Sequence, residues 1–140
     1  IDANLAKAVM SIGAVKGVEI GDGFASAESF GSSNNDAFCL DQDKHITKAT
    51  NHAGGILGGI SDGSDVILRA AVKPTPSIAK TQQTVNRDKE PIAIEIGRRH
   101  DPIIVPRAVV VVEAMTAITV FDMMMESMSS NLDRIKRFFS

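Results

Sequence analysis

The segment Ile-Gly-Arg-Arg-His-Asp-Pro-Ile-Ile-Val-Pro-Arg, residues 96–107, concentrates charge between two apolar parts of the chain. An isoleucine-rich run, residues 92–96, leads into it, and the most apolar run in the protein follows it. Pro102 and Pro106 confine the backbone to extended or turn geometry, because a proline ring fixes its own φ and disfavours helix in the residue before it. The segment therefore marks the point where a predicted strand ends and a predicted helix begins.

The same segment carries groups suited to binding an anion. Arg98 and Arg99 are adjacent, and a guanidinium group can bind a phosphate or a carboxylate through two parallel hydrogen bonds. His100 and Asp101 add titratable groups beside them. We interpret the segment as half of a site for a phosphorylated, carboxylated ligand. The alternative is a solvated connection between a strand and a helix, which is common for charged loops.

A long helix is predicted from Pro106 to about Met128, since proline is tolerated in the first helical turn. Its apolar arc is wide, which predicts a core helix that is largely buried. Arg107, Glu113 and Asp122 interrupt the apolar run, leaving charge-free stretches that are too short to span a bilayer. We therefore predict no membrane association.

Shorter helices are predicted near both ends of the chain. Asp2 is a suitable N-cap for a first amphipathic helix, and Gly13 is a suitable terminator for it. Residues 130–133, Ser-Asn-Leu-Asp, resemble a capping box for a last helix ending at Phe139.

Strands are predicted over residues 14–20, where Gly17 breaks the alternation, and over residues 66–73, which alternate well. A weak strand is predicted over residues 24–30. The polar stretch 31–50 is predicted to be a long surface loop, with a hairpin that turns Phe38 and Leu40 inward as one possibility.

Residues 51–63, Asn-His-Ala-Gly-Gly-Ile-Leu-Gly-Gly-Ile-Ser-Asp-Gly, hold five glycines. Each glycine costs backbone entropy on folding, so we expect the main chain to approach something closely here. The spacing fits neither the dinucleotide-binding fingerprint nor the P-loop. Two interpretations stay open: contact of the backbone with a ligand, and a tight turn against neighbouring backbone.

The second predicted strand ends in a short segment with phosphate-binding chemistry. Lys73, Thr75 and Ser77 offer one ammonium and two hydroxyls, which suit phosphate oxygens. Pro74 and Pro76 force an extended path between them. A strand that is simply stopped by proline, without any ligand, is the alternative.

Composition sets limits on the class of protein. With 140 residues, 44% of them hydrophobic, the chain suffices for one globular domain, and we predict no internal boundary within 1–140. A net charge of −2 without a basic stripe argues against nucleic acid as a partner. The lone Cys39 excludes a disulfide framework and indicates a reducing, cytoplasmic setting. The methionine cluster near residue 125 is expected to serve the core or a subunit contact, and we predict no metal site.

Four blocks, residues 14–21, 51–59, 73–77 and 99–102, occur in the order and spacing seen in chorismate synthase. The chain resembles that family over essentially its whole length. The resemblance implies an α+β fold in which antiparallel sheets pack with helices in a β-α-β sandwich. Because this chain opens without an initiator methionine and lacks the family's N-terminal motifs, we expect it to be the C-terminal part of a longer enzyme.

The resemblance also implies a reaction and its partners. Members of the family remove the 3-phosphate and the C6 proton of 5-enolpyruvylshikimate 3-phosphate in a 1,4-anti elimination, which gives chorismate. They require reduced FMN, and they are homotetramers. The N-terminal region, absent here, carries the family's two acid histidines and most of its substrate-binding arginines. We therefore expect the chain alone to be inactive and to bind FMN weakly.

Individual residues receive roles from the same resemblance. Arg99 matches an arginine between flavin and substrate, and Asp101 matches the aspartate that assists proton transfer, so both are predicted to be catalytic. Gly13 stands where the family often has asparagine, which leaves only a backbone contact there, and Arg98 is an extra arginine without an assigned role. The predicted cofactor-binding residues are Gly13, Ala14, Gly58, Lys73, Pro74, Thr75, Pro76, Ser77 and Arg99.

Two other functions remain open at this point. One is a flavin- or phosphate-binding module without chemistry. The other is an oligomerisation domain built on the long helix.

Overall fold

The computed structural model describes residues 1–97 and 103–140, and within them the chain is α+β, as predicted. The helices are α1 (Asp2–Met10), α2 (Val105–Ser129) and α3 (Leu132–Phe139), with one 3-10 helix (Gly23–Glu28). The strands are β1 (Val15–Ile20), β2 (Phe38–Leu40), β3 (Ile46–Lys48), β4 (Ile56–Leu57), β5 (Ile60–Ser61), β6 (Leu68–Val72), β7 (Gln82–Val85) and β8 (Pro91–Ile94).

All of the described strands pair antiparallel, two by two. Three pairs, β2–β3, β4–β5 and β7–β8, join neighbours in the sequence, whereas β1–β6 joins strands that lie far apart in the chain. Helix α1 packs against both β1 and α2. The β1–β6 pair, α1 and α2 therefore form the framework to which the hairpins are attached.

The hydrophobic core of the described chain is small. Its buried apolar side chains are Leu5, Val9, Val15 and Ile56. Leu5 and Val9 lie one helical turn apart and form the buried face of α1, so the predicted amphipathic helix is confirmed.

The ends of α1 differ from the prediction. Asp2 lies inside the first turn of the helix and is not the N-cap. Its carboxylate accepts a hydrogen bond from the Ala3 N–H at 2.8 Å. The helix is capped at its C-terminal end by Ser11, and Gly13 does not take a left-handed conformation. Ala14 does instead, with φ 71°. The prediction that Gly13 ends the helix was wrong, because the residue that takes the left-handed conformation is Ala14.

Residues 24–30 do not form the predicted strand. The 3-10 helix begins at Gly23, the last residue of the Gly21–Gly23 turn, and the Ala25 N–H donates to the Asp22 carbonyl at 3.0 Å. The Phe24 N–H is taken by the Glu19 carboxylate at 3.1 Å. These local hydrogen bonds occupy donors that a strand would have offered to a partner.

The predicted hairpin in the polar stretch exists as β2–β3, but its orientation was predicted wrongly. Phe38 is 72% exposed and Leu40 is 66% exposed, so neither side chain turns inward. Alternating pattern predicts which residues share a face, but it does not say what covers that face.

The strand with the clear alternation, β6, is confirmed, although it is shorter than the predicted range 66–73. The turn at residues 87–89 joins β7 to β8, and Lys89 adopts φ 65° there. Strand β8 begins and ends earlier than the predicted run 92–96.

Helix α2 matches the predicted range to within one residue at each end, but its predicted burial is wrong. None of its residues is buried in the described structure, and Val110, Ile118 and Phe121 are more than 60% exposed. By length and composition alone α2 could cross a membrane, a criterion that core helices of soluble proteins also meet. The length argument against a membrane span therefore does not hold by itself.

Helix α3 confirms the predicted last helix, with a different cap from the one that its sequence suggested. The Asn131 side chain accepts hydrogen bonds from the N–H groups of Asp133 at 2.9 Å and Arg134 at 3.3 Å. The side-chain capping bonds thus come from Asn131 and not from Ser130.

Candidate functional site

The two residues predicted to be catalytic, Arg99 and Asp101, lie outside the described residues, as do Arg98 and His100. The described chain resumes at Ile103, just before α2. The structure therefore bears on the cofactor-binding residues and not on the catalytic pair.

Several of the predicted cofactor-binding residues meet in one open cleft of about 400 Å³. The cleft lies where β6 ends, where β1 begins and where α2 begins. Its lining residues are Ala14, Lys16, Lys73, Pro74, Thr75, Pro76 and Ile104. The structure thus brings Ala14 together with the segment that follows β6, across nearly 60 residues of chain.

A backbone hydrogen bond joins the two sides of this cleft. The Lys73 N–H donates to the Ala14 carbonyl at 2.7 Å, one position beyond the last paired residue of β6. Ala14 provides this carbonyl from a left-handed conformation, which costs a non-glycine residue about 1–2 kcal/mol. The bond fixes the position at which Lys73 leaves the sheet.

Thr75, which lines the cleft, carries an unsatisfied polar atom. Its hydroxyl oxygen is buried and has no hydrogen-bond partner within residues 1–97 and 103–140. An unpaired buried hydroxyl costs on the order of 1–3 kcal/mol, so such a group calls for an explanation. A bound ligand that accepts the hydroxyl hydrogen would supply one.

The electrostatics of the cleft favour an anion. Lys16 and Lys73 are both exposed, and neither forms an ion pair with any described residue. Ile104 is the N-cap of α2, a helix of 25 residues whose first turn has no side-chain cap. The N-terminal end of a helix carries partial positive charge, which adds to that of the two ammonium groups.

Of the predicted cofactor-binding residues that the structure describes, three are absent from the lining of this cleft. Gly13 and Ser77 flank residues that do line it. Gly58 forms, with Gly59, the two-residue turn between β4 and β5, with φ values of 58° and 82°. Positive φ at both positions identifies a type I′ turn. Prediction of a flavin contact at Gly58 stays a prediction.

The structure confirms the tight-packing interpretation for part of the glycine block. A Cβ on Gly54 would collide with the backbone of Gly21, and one on Gly55 with the backbone of Asp65. These two glycines serve close packing of main chain on main chain. A Cβ on Gly58 or Gly59 would meet open space.

A buried ionic cluster next to the glycine block was not predicted. The Lys48 ammonium lies 2.6 Å from an Asp62 carboxylate oxygen and 3.6 Å from Asp36. The Lys48 and Asp36 side chains are only 4% and 3% exposed. Asp36 also accepts hydrogen bonds from the Thr50 hydroxyl at 2.7 Å and from the N–H groups of His52 and Ala53 at 2.7 and 2.9 Å.

The pKa values of this cluster shift toward the charged forms. Burial alone would raise the pKa of Asp36, but the three donated hydrogen bonds and the charge of Lys48 outweigh burial and lower it to about 2. The hydrogen bond with Asp62 raises the pKa of Lys48 against the effect of burial. The same bond lowers the pKa of Asp62. The cluster is therefore an ionic link at neutral pH between the β2–β3 hairpin and the glycine block.

A second polar group holds the turn after β1. A ring nitrogen of His52, Nδ1, lies 2.6 Å from the Asp22 carboxylate, which also accepts from Asn34 at 3.1 Å. Arg69 donates to the carbonyls of Gly21 and Asp22 at 3.1 and 3.2 Å. Nothing in the local sequence signals the contacts of His52 and Arg69, because their partners lie 30 or more positions away.

Comparisons with known proteins agree with the fold. A family model described as chorismate synthase matches residues 1–125. A chorismate synthase of Lachnoclostridium phytofermentans is 61% identical over 139 residues, which are 99% of this chain and 38% of that protein. One from Methanocaldococcus jannaschii is 58% identical over 127 residues, 90% of this chain and 34% of that protein.

A solved structure shows the same architecture. The crystal structure of a chorismate synthase superposes with a TM-score of 0.68 at 34% identity, covering 99% of this chain and 34% of that chain. The chain thus spans little more than a third of the length of its relatives, and the predicted fold class is confirmed. The chain belongs to the chorismate synthase family.

Proposed function

We propose that this chain forms the flavin-binding wall of a chorismate synthase, which converts 5-enolpyruvylshikimate 3-phosphate into chorismate. Family membership over residues 1–125 supports the reaction. The observation that carries the local role is the cleft itself, where Ala14 and the segment from Lys73 to Pro76 meet around the unpaired Thr75 hydroxyl.

The residues of the cleft fit reduced FMN. The Thr75 hydroxyl can donate one hydrogen bond to the cofactor, and Lys73 can bind an anionic oxygen. Bound reduced FMN supplies an electron-rich ring that assists the departure of phosphate without net oxidation. Pro74 and Pro76 keep the segment between these groups stiff, which lowers the entropic cost of holding the ligand.

Arg99 and Asp101 are the proposed catalytic residues, and in the sequence they closely precede Ile104, which lines the cleft. The Arg99 guanidinium would stabilise negative charge on the substrate, and preorganised charge of this kind often provides the largest part of catalysis. The Asp101 carboxylate would hold or accept the proton that is removed in the elimination.

A full-length host makes the proposal testable. We define the chimera as the Lachnoclostridium phytofermentans relative in which the matching 38% is replaced by residues 1–140 of this chain. In the chimera, Lys73→Met should weaken FMN binding by roughly tenfold or more, because a charge-assisted hydrogen bond contributes about 1.5–3 kcal/mol. Titration of flavin fluorescence measures this. Lys80→Met, an equal change of charge outside the cleft, is the control.

A second variant separates an enzyme from a binding module. Asp101→Asn should leave FMN affinity unchanged and reduce phosphate release from the substrate by at least about 100-fold, within the range expected for loss of a general acid or base. A variant that turns over normally would remove Asp101 from the mechanism.

We propose further that the whole protein is a cytoplasmic homotetramer that binds neither nucleic acid nor membrane. The exposed free thiol of Cys39 fits a reducing compartment. The wide exposed apolar surface of α2 supports contact with additional protein, from the same longer chain or from another subunit.

A further inference from the structure

The first strand of the framework contains a β-bulge, and the extra residue is Lys16. In the β1–β6 ladder Gly17 is paired with Ala71, whereas Val15 is paired with Val72. Two residues of β1 therefore advance while β6 advances by one, and Lys16 is left without a partner in the ladder. Bulges of this kind change the direction of a side chain and are frequent beside active sites.

The bulge decides which side chain is buried. In a regular ladder Lys16 would be paired with Val72 and would share the face of Val18, while Val15 would lie on the opposite face with Lys73. The extra residue reverses this arrangement. Val15 is only 3% exposed and belongs to the core, and Lys16 is exposed.

The exposed Lys16 side chain lines the cleft described above, together with Lys73. No described acidic residue forms an ion pair with Lys16, so its charge is not used within residues 1–97 and 103–140. Among the described residues, the cleft therefore has two cations, one from β1 and one from the segment after β6, next to Thr75 and the N-terminal end of α2.

We propose that Lys16 is a further ligand-binding residue of this cleft, and that its ammonium, with that of Lys73, selects ligands carrying a phosphate monoester. The inference rests on the proposed function. The phosphate can be that of FMN or that of the substrate, since both are phosphate monoesters with the same dianionic chemistry.

The test uses the chimera and two flavins that differ only in the phosphate. Lys16→Met should reduce the affinity for FMN by roughly tenfold or more and leave the affinity for riboflavin unchanged. Lys16→Arg should retain most of the preference for FMN, because the guanidinium keeps the charge. A loss of folded protein would weaken both flavins equally, so the ratio of the two affinities is independent of folding.

A second arm identifies the source of the phosphate. If Lys16 binds the substrate, Lys16→Met leaves the ratio of FMN to riboflavin affinity unchanged and raises the KM for 5-enolpyruvylshikimate 3-phosphate by roughly tenfold at saturating FMN. Either result supports the inference.

Failure of the inference is distinct from failure of the proposed function. If Lys73→Met weakens FMN binding while Lys16→Met changes neither the flavin ratio nor the substrate KM, the role of Lys16 is refuted and the function stands. If the chimera with both lysines intact binds no FMN, the proposed function fails and the inference fails with it.

Discussion

Asp36 provides the sharpest test of the packing between the β2–β3 hairpin and the glycine block. One of its carboxylate oxygens accepts from Thr50 and from the His52 N–H, and the other accepts from the Ala53 N–H and faces Lys48. Asp36→Asn keeps the size and one accepting oxygen. The new NH₂ group replaces the second oxygen, so a hydrogen-bond donor then faces the Ala53 N–H and the Lys48 ammonium, which are both donors.

The size of the effect follows from these contacts. A hydrogen bond to a charged group contributes about 1.5–3 kcal/mol, and breaking a buried ion pair costs about 3–5 kcal/mol. Because Asp62 remains as a partner of Lys48, we take the lower end and expect about 3 kcal/mol of local destabilisation. This corresponds to about a 10²-fold larger population of the open state of the segment.

Hydrogen exchange followed by mass spectrometry in the chimera measures this opening directly. Peptides covering residues 50–55 should lose about two decades of protection in Asp36→Asn. Asp43→Asn, an exposed aspartate in the turn of the same hairpin, is the matched control and should change protection by less than threefold. Equal exchange in the two variants would show that the cluster does not hold the block in place.

Two further predictions concern the same region. The stability contributed by Asp36 is fully present above its unfolded pKa of 3.8 and is lost as the pH falls toward 2, because its folded pKa is lowered. Protection factors of peptides 50–55, measured in the chimera across that range and corrected for the intrinsic exchange rate, should therefore fall in the parent and not in Asp36→Asn. Gly54→Ala should cost more than about 3 kcal/mol, since its Cβ would meet Gly21 backbone at φ 64°, whereas Gly63→Ala, at φ 92° in open space, should cost only about 1–2 kcal/mol. Urea unfolding of the two glycine variants compares them, and equal midpoints would contradict the proposed packing.

Local chemistry made the ends of several elements predictable. Pro106 and the apolar run after it located α2 to within one residue, and the alternation before Lys73 located β6. Burial of α2 was not predictable in the same way. A wide apolar arc indicates that the helix packs against other apolar surfaces, but it does not say whether they belong to this chain. In the described chain α2 contacts mainly α1 and α3.

The site shows the same division. The phosphate-binding chemistry of Lys73 and Thr75 could be predicted from the sequence. Their position next to Ala14 could not, because it depends on a strand pairing across nearly 60 residues. The left-handed backbone of Ala14 has no sequence signal, because alanine rarely adopts it. The partners of Lys48 were equally hidden, since oppositely charged residues 12 and 14 positions apart are common in any chain.

The bulge in β1 makes residue count, and not only residue type, a determinant of this cleft. Deleting the residue just before the strand would let the ladder run evenly, which would place Val15 on the exposed face and Lys16 against the interior. A substitution at the same place alters a single side chain. Homologues should therefore vary in residue type through this strand far more readily than in its length.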